Sequence, residues 1–464
     1  MKGCIRDAAY MRRPFRLPGK RATRLLLSPL VLAACAETSL APEPSFTGDP
    51  EAAAAATTQG AGRLSRRAVN FVNSIGVNVH LSYFSRVYGT GYETIVRPRL
   101  RELGVRHLRD SGSVYDNEGW MNMAYGRYRQ VAEENDARFT IIVGPEGGSL
   151  RYGDMSHIRT LLDYIGPKNV VAFEGLNEHD LLGGSATWAT DIRSAQRALW
   201  EEIKGDPALA SRYKVLGPSI GRGDNVAAIG DLSAWMDFAA LHPYPGGEEP
   251  LAHLELDREM LRPMNGNRPI IVTEAGYHNA LAYTGGHPAV TEEVMGRYMS
   301  RLPFEFFDAG VKRAFVYELI DQGTDPRRFD QNFGLLRNDG TRKFAYRALR
   351  NIIEILDDPG PEFLRSRLQY TLQGDLTDVR QLLLEKRDGR FYLVLWQAVS
   401  SYDLYTKKKT VPRRRTITVE LANVVSGMKV YEPLWKRVPV ASKNGADQIQ
   451  VTVPDNPVII EIIP

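Results

Sequence analysis

Three apolar segments of the chain end directly in polar residues that could do chemistry. Two of these residues are glutamates, and an amide, an imidazole and a phenol accompany them. Two carboxyl groups brought into one cleft can act on the same bond, one by giving up a proton and the other by attacking. The three endings are Asn177-Glu178, His242-Pro243-Tyr244 and Thr273-Glu274-Ala275-Gly276.

Such a carboxyl pair matches the needs of glycosidic bond cleavage with retention of configuration. That reaction uses two carboxyl groups about 5 to 5.5 Å apart, one protonated and one ionised. Burial and a neighbouring negative charge are the usual means of keeping one of them protonated. Glu178 and Glu274 are the residues that we expect to take these two roles.

Short β-rich segments alternate with longer helical patterns through the middle of the chain. This alternation is typical of an α/β protein with a parallel sheet. Eight such strands with their helices fit a closed (β/α)8 TIM barrel, in which the strand ends line the active site. The predicted strands are Ile75–Leu81, Gly104–Asp110, Phe139–Gly144, Val170–Leu176, Tyr213–Gly217, Phe238–Leu241, Pro269–Thr273 and Arg313–Leu319.

A doubly wound open sheet is the alternative architecture for the same alternation. It would normally carry a glycine-rich phosphate loop after its first strand, and residues 79–82 read Val-His-Leu-Ser instead. Residues 66–358 are therefore expected to form the barrel. Helical patterns fill the gaps at Tyr92–Leu103, Met121–Asn135, Met155–Ile165, Trp188–Lys204 and Glu292–Ala309.

The pattern changes after the barrel. Residues 359–464 contain strand-like segments separated by turn residues, which predicts an antiparallel β-sandwich. The predicted strands are Gln381–Glu385, Phe391–Gln397, Thr416–Leu421, Met428–Tyr431 and Val458–Ile463.

The motifs at the strand ends resemble those of clan A of the retaining glycoside hydrolases. In that clan the acid/base follows an Asn at the end of strand four, and the nucleophile ends strand seven. The resemblance covers residues 70–355 and implies that Glu178 is the acid/base and Glu274 the nucleophile. It also implies that Asn177 binds the sugar 2-hydroxyl and that His242 and Tyr244 border the nucleophile, with the Tyr244 hydroxyl donating to Glu274.

Two further strand ends carry residues with alternative interpretations. Arg109 ends strand two and resembles the clan arginine that keeps the nucleophile ionised; otherwise it pairs with Asp110 or lies on a helix face. His80 ends strand one, where it either binds a ligand hydroxyl or is a hydrogen-bonded core histidine.

The end of strand eight departs from the clan pattern. Many members place a Trp there under the sugar, whereas this chain has Tyr317 and Glu318. Tyr317 is expected to replace the Trp. Glu318 either binds a pair of sugar hydroxyls or pairs with Arg313 outside the barrel.

Two other function classes compete with the glycosidase hypothesis. A non-catalytic, glycan-binding surface lipoprotein could keep the same barrel, although the presence of both glutamates argues against it. A metal-dependent hydrolase could use His80, Glu178, His242 and Glu274, but no His-x-His pair ends strand one. We therefore expect a carbohydrate substrate, a monomer, and neither a metal nor a cofactor.

The N-terminus resembles a bacterial lipoprotein signal. Several basic residues precede a short apolar segment, Leu25–Ala34, which is too short to span a bilayer. Cys35 follows Leu32-Ala33-Ala34 as in a lipobox and would be acylated, so residues 1–34 are the predicted signal. Residues 35–65, rich in Ala, Thr and Pro, are the predicted flexible tether. The alternatives are a plain signal peptide and twin-arginine export.

These assignments place the protein at the bacterial cell envelope, anchored by lipid. Residues 1–34 contain eight Lys/Arg and one Asp, which leaves 51 basic and 54 acidic residues, a net charge of −3, against 59 and 55 in the whole chain. This charge predicts no nucleic-acid partner. The basic groups at 407–409 and 413–415 either bind an acidic polysaccharide or a membrane surface, or are solvated loops and edge charges; we favour the latter.

Overall fold

The computed structural model describes residues 62–143, 152–181 and 186–464. The predicted signal, Cys35 and most of the predicted tether lie outside these residues. Among the residues described, no helix has the length and hydrophobicity required to cross a membrane.

Eight parallel strands form the centre of the molecule. They are β3 (Ile75–Asn78), β4 (His107–Gly112), β5 (Arg138–Val143), β6 (Val170–Glu174), β7 (Lys214–Leu216), β8 (Ala239–Leu241), β9 (Ile270–Ala275) and β10 (Arg313–Val316). Hydrogen bonds join them in the order β7-β6-β5-β4-β3-β10-β9-β8, and a bridge between Leu216 and Phe238 joins β7 to the β8 side. The predicted (β/α)8 barrel is thus confirmed.

Helices surround the barrel, and several of them bury one apolar face. In Trp188–Lys204 the buried positions include Ile192, Ala195, Leu199 and Ile203, a spacing of three and four residues that keeps them on one side. The other α-helices are Ala68–Val72, Val87–Thr90, Arg97–Leu103, Glu118–Asn135, His157–Ile165, Pro207–Ala210, Val226–Ile229, Leu254–Asn265, Glu292–Asp308 and Phe344–Leu356, and Tyr92–Val96 is a π-helix.

Side chains fill the barrel interior in layers, because alternate residues of each strand point inward. One apolar layer packs Ala172, Leu216, Ile271 and Phe315 together. Gly76 gives room to the Phe315 ring, since a Cβ at position 76 would lie 2.4 Å from it. Two residues further along the strands the inward positions turn polar, and this second layer carries the candidate site.

The C-terminal part forms a seven-stranded sheet with a bent hairpin. The strands are β2 (Arg66–Arg67), β12 (Tyr370–Gly374), β13 (Val379–Glu385), β14 (Phe391–Gln397), β17 (Arg415–Tyr431), β18 (Ala441–Val453) and β19 (Val458–Ile463). They lie in the order β12, β17, β19, β14, β13 and β2, and β18 pairs with β17. The predicted strands at 416–421 and 428–431 are one strand, β17, and β18 was missed because polar residues dominate it.

Residues just before the barrel belong to the same C-terminal sheets. Strand β1 (Arg63–Leu64) pairs with β11 (Arg367–Leu368), and β2 (Arg66–Arg67) pairs with β13. The predicted boundary at residue 65 therefore falls between two paired strands. Ser65 also donates a hydrogen bond to buried Glu385.

A buried arginine joins the barrel to the C-terminal domain. Arg301, on helix Glu292–Asp308, is fully buried and donates to the carbonyl oxygens of Gln397 and Val399 at 2.9 and 2.7 Å. Its charge is balanced by Glu305 at 2.9 Å. A two-stranded hairpin of β15 (Tyr402–Asp403) and β16 (Lys408–Lys409) also leaves this domain towards the barrel.

Candidate active site

A buried arginine stands at the centre of the polar layer. Arg109, on β4, is 1% exposed and donates to both oxygens of Glu174 at 2.6 and 2.8 Å. Its Nη1 donates to Glu274 Oε1 at 2.7 Å, and its Nη2 to Asn177 Oδ1 at 2.7 Å. The two carboxylates together raise the pKa of Arg109 in spite of its burial. The arginine therefore lies inside the barrel, and Asp110 is not its partner.

Glu274 lies at the end of β9 with both carboxylate oxygens engaged. Oε1 accepts from Arg109, and Oε2 accepts from the Tyr244 hydroxyl at 2.6 Å. Burial alone raises the pKa of Glu274, but the charges of His242 and Arg109 and the Tyr244 hydrogen bond outweigh burial. The pKa of Glu274 thus lies below its usual value, and the group is ionised near neutral pH.

Glu178 faces Glu274 across the end of the barrel. A carboxylate oxygen of each lies within 4.8 Å of the other. Glu178 Oε1 contacts His242 Nδ1 at 2.7 Å, and the Glu178 side chain is 28% exposed against 11% for Glu274. The backbone of Glu178 has φ +44°, which is uncommon for a residue other than glycine, and its N–H donates to the Ser219 carbonyl at 3.1 Å.

His242 links the two glutamates. Its Nδ1 lies 2.7 Å from Glu178 Oε1 and 3.7 Å from Glu274 Oε2. Its Nε2 contacts the Thr273 hydroxyl at 3.0 Å. Burial lowers the pKa of His242, but the negative charges of Glu274 and Glu178 outweigh burial and raise it. The imidazole therefore keeps a positive charge between two acidic groups to a higher pH than a free histidine would.

Asn177 is fixed by bonds to its amide oxygen. Oδ1 accepts from Arg109 and from the Ser219 hydroxyl at 3.1 Å. With the oxygen held by two donors, the amide nitrogen is the group left to donate to a ligand.

His80 and Glu318 form a second polar pair beside the first. His80 Nε2 lies 3.3 Å from Glu318 Oε2, which also accepts from the Tyr88 hydroxyl at 3.0 Å. Burial lowers the pKa of His80, but the Glu318 carboxylate, with smaller contributions from Asp110 and Glu274, raises it overall. Glu318 is completely buried and faces into the barrel, so the predicted alternative of a pair with Arg313 outside the barrel is wrong.

Tyr317 occupies the place expected from the end of strand eight. Its ring lies 6.2 Å from the Tyr244 ring and 5.9 Å from the His80 ring, in edge-on arrangements. Tyr317 is partly buried and borders the region between the two polar pairs.

The structure thus brings all nine predicted site residues of the barrel to one end of it. Sequence reasoning missed the residues that hold them in place, because most are polar groups at inward positions of strands or in distant loops. Because Arg109 was expected to pair with Glu274 alone, its burial could have indicated a second acidic partner. Glu174, at an inward position of β6, is that partner. The missed residues are Asn78, Glu174, Ser219, Thr273, Tyr88 and Gln322.

A cation site at the same place was the metal-dependent alternative. Donor atoms of Glu178, His242 and Glu274 do lie within 4.8 Å of one another, without His80. However, the Arg109 guanidinium lies 2.7 Å from Glu274 Oε1, and a fixed positive charge so close disfavours a second cation. The donor set therefore fits a network of ion pairs better than a metal centre.

The fold is shared with solved structures of glycoside hydrolases. A family 39 glycoside hydrolase from the gut symbiont Bacteroides cellulosilyticus WH2 matches with a TM-score of 0.56 at 14% identity, covering 86% of this chain and 83% of that one. A glucosidase from Croceicoccus marinus matches with a TM-score of 0.52 at 13% identity, covering 88% and 100%. The catalytic domain of a family 30 xylanase C from Talaromyces cellulolyticus gives 0.50 at 12%, covering 87% and 98%.

At these identities the likeness shows a common fold. No protein-family model matches the chain, and no curated protein matches it.

Proposed function

We propose that this protein is a retaining O-glycoside hydrolase that acts on a poly- or oligosaccharide. The observation that carries the proposal is the pair of glutamates, whose oxygens approach within 4.8 Å at the carboxyl ends of β6 and β9. That approach suits the short separation of retaining enzymes and leaves no room for a water molecule between nucleophile and sugar. The fold shared with glycoside hydrolases agrees with the proposal.

In the first step Glu274 attacks. One of its carboxylate oxygens forms a bond to the anomeric carbon while the bond from that carbon to the leaving oxygen breaks. Glu178 gives its proton to the leaving oxygen and becomes a carboxylate. Arg109 and Tyr244 keep Glu274 ionised and oriented until it reacts.

In the second step water replaces the enzyme. Glu178 takes a proton from the water, whose oxygen attacks the anomeric carbon from the side of the departed group. The ester bond to Glu274 breaks, and both glutamates return to their starting protonation states. Two inversions at one carbon give net retention. During both steps the Asn177 amide is placed to donate to a hydroxyl of the bound sugar.

The stereochemical outcome tests the mechanism. Proton NMR of the earliest product, recorded before mutarotation, is expected to show the anomeric configuration of the substrate. An active enzyme that yields the opposite anomer would require a water nucleophile, and Glu274 would lose its role. A protein that binds the sugar without cleaving it would support the non-catalytic alternative.

The N-terminal assignments remain part of the same proposal. We expect Cys35 to carry lipid and to hold the enzyme at the bacterial cell envelope, working as a monomer. Each buried methylene of a lipid chain contributes about 0.8 kcal/mol to membrane binding. Cys35→Ser is therefore expected to move the protein from the detergent phase to the aqueous phase in phase partitioning. Continued recovery in the detergent phase would contradict the lipid anchor.

A further inference from the structure

The hairpin of residues 402–409, here named the tip hairpin, belongs to the C-terminal domain but packs against a barrel loop. Gly247 lies in the loop after β8, three residues beyond Tyr244. A Cβ on Gly247 would lie 2.6 Å from Leu404 Cδ2 and 2.9 Å from Tyr402 Cδ1. Only glycine permits this close contact. The hairpin thus touches the loop that carries a residue of the candidate site.

Polar contacts fix the hairpin to the same end of the barrel. Lys409 Nζ lies 2.9 Å from both carboxylate oxygens of Glu293, in the first turn of the helix that follows β9. The Ser401 N–H donates to the Tyr298 hydroxyl at 2.9 Å. Since the loop after β8 and the start of that helix both lie at the carboxyl ends of the strands, the hairpin borders the face that carries the glutamates.

The end of the hairpin is held rigid and presents an aromatic ring. Asp403 Oδ1 accepts from the backbone N–H groups of Tyr405 and Thr406 at 2.9 and 3.0 Å, which fixes the turn. The Tyr405 side chain on this turn is 98% exposed. Because the backbone of the turn is already fixed, stacking of this ring on a ligand would cost side-chain entropy but little backbone entropy.

Positive charge is concentrated in the sequence around Tyr405 and after it. Residues 403–415 contain six basic residues and one acidic residue, whereas the chain from Cys35 onward has a net charge of −3. Lys409 and Arg415 are paired with Glu293 and Asp375. The remaining four basic side chains are exposed and form no ion pair with the described residues; they are Lys407, Lys408, Arg413 and Arg414.

In place of the interpretation favoured from the sequence, we propose that the tip hairpin binds an anionic polysaccharide chain that extends from the barrel end. This proposal rests on the proposed glycosidase function and names its substrate class: a polymer carrying carboxylate or sulfate groups. Position favours a glycan over a lipid surface, because the hairpin contacts the Tyr244 loop. The ring of Tyr405 stacks on a sugar while Lys407 and Lys408 attract its anionic groups.

Binding without turnover tests this surface. The full chain carrying Glu274→Gln is titrated calorimetrically with polygalacturonate, dextran sulfate and neutral dextran. We expect binding to one or both anionic polymers, weakening with added salt, and much weaker binding to dextran. Adding Lys407→Gln and Lys408→Gln is expected to lower the affinity for the anionic polymer about tenfold, and Tyr405→Ala about fivefold.

A matched pair of substitutions controls for net charge. Lys436→Gln with Lys443→Gln removes the same charge from exposed positions elsewhere in the domain and is expected to leave affinity unchanged. An equal loss in this control would overturn the proposal, as would equal affinity for neutral dextran. Binding only to phosphatidylglycerol vesicles would also overturn it, in favour of a membrane surface.

The two proposals fail separately. Because binding is measured without hydrolysis, retention of the anionic polymer by a chain that never cleaves a glycoside would overturn the glycosidase and leave the surface intact. An active glycosidase whose affinity for the anionic polymer does not change when the tip hairpin is substituted would overturn the binding surface and leave the glycosidase intact.

Discussion

The two glutamates of the site stand in contrasting surroundings. Glu274 is 11% exposed, and each of its oxygens accepts a short hydrogen bond, from Arg109 or from Tyr244. Glu178 is 28% exposed, and its side chain contacts His242. The first is a fixed anion inside a network, whereas the second lies at the edge of that network and within reach of water.

This difference matches the demands of the two proposed roles. A nucleophile benefits from being ionised and held in one orientation before the substrate arrives. An acid/base must exchange a proton with solvent in every cycle, which requires exposure. Even the backbone differs, because the φ of +44° at Glu178 costs about 1–3 kcal/mol for a residue other than glycine. The Ser219 hydrogen bond helps to hold that conformation.

The largest expected effect separates the two roles by leaving group. Glu274→Gln is expected to lower kcat by about 10⁴-fold or more with every substrate, because no covalent intermediate can form. Glu178→Gln is expected to lower kcat/KM, which reports the first step alone, by about 10²–10⁴-fold for poor leaving groups and far less for dinitrophenolate, which needs no proton. Steady-state kinetics on a series of aryl glycosides measures both.

A variant at a carboxyl outside the site controls for nonspecific damage. Glu305→Gln changes a buried acid in the helix layer and is expected to affect stability rather than the dependence on leaving group. If Glu178→Gln lowers kcat/KM equally for all leaving groups, Glu178 is not the acid.

A second, smaller effect concerns the arginine that holds Glu274. Arg109→Lys keeps a positive charge but loses the planar fork that binds Glu174 with two hydrogen bonds. We expect kcat/KM to fall about 10²-fold. The free energy of unfolding should fall by about 1–3 kcal/mol, since a buried acceptor loses its partner.

Kinetics and urea denaturation measure the two effects of Arg109→Lys. Arg313→Lys, at the far end of a barrel strand, is the control for stability loss alone. Unchanged kcat/KM would show that the Arg109 fork does not position Glu274.

The architecture was predictable because its signals are local and repeated. All eight barrel strands were predicted within a few residues of their observed ends, and β14 (Phe391–Gln397) was predicted with its observed bounds. Hydrophobic alternation at one strand repeats at the next, so an error at one position does not change the topology. Strand β18 carries this alternation only from Ile449 to Val453, because the residues before Ile449 are all small or polar.

Site residues that directly follow a strand could be predicted from the sequence. The residues that hold those site residues in place were harder to predict. Glu178, Glu274 and Tyr244 stand at strand ends that the apolar pattern marks. Ser219, which contacts Asn177, is separated from it by 42 positions, and no pattern relates the two. The burial of Glu318 likewise depends on Tyr88 and Gln322, whose positions only the folded chain defines.

The smallest expected effect is a shift in pH dependence at the residue that links the two glutamates. His242 carries a positive charge that lowers the pKa of Glu274, so replacing it by Asn removes that contribution, and the pKa of Glu274 rises. Because Glu274 must be ionised to attack, activity is lost as pH falls through its pKa. The acidic limb of the kcat/KM profile is therefore expected to move to higher pH in His242→Asn, with the loss of activity greatest on the acidic side of the profile. The profile is measured on a dinitrophenyl glycoside, so that proton donation by Glu178 does not limit the rate. His253→Asn changes a partly buried histidine that is paired with Glu248 on the same side of the barrel; it is the control and is expected to leave the limb in place. A limb that stays fixed in His242→Asn, or that moves to lower pH, would mean that Arg109 and Tyr244 alone keep Glu274 ionised. His242 would then act on Glu178 only.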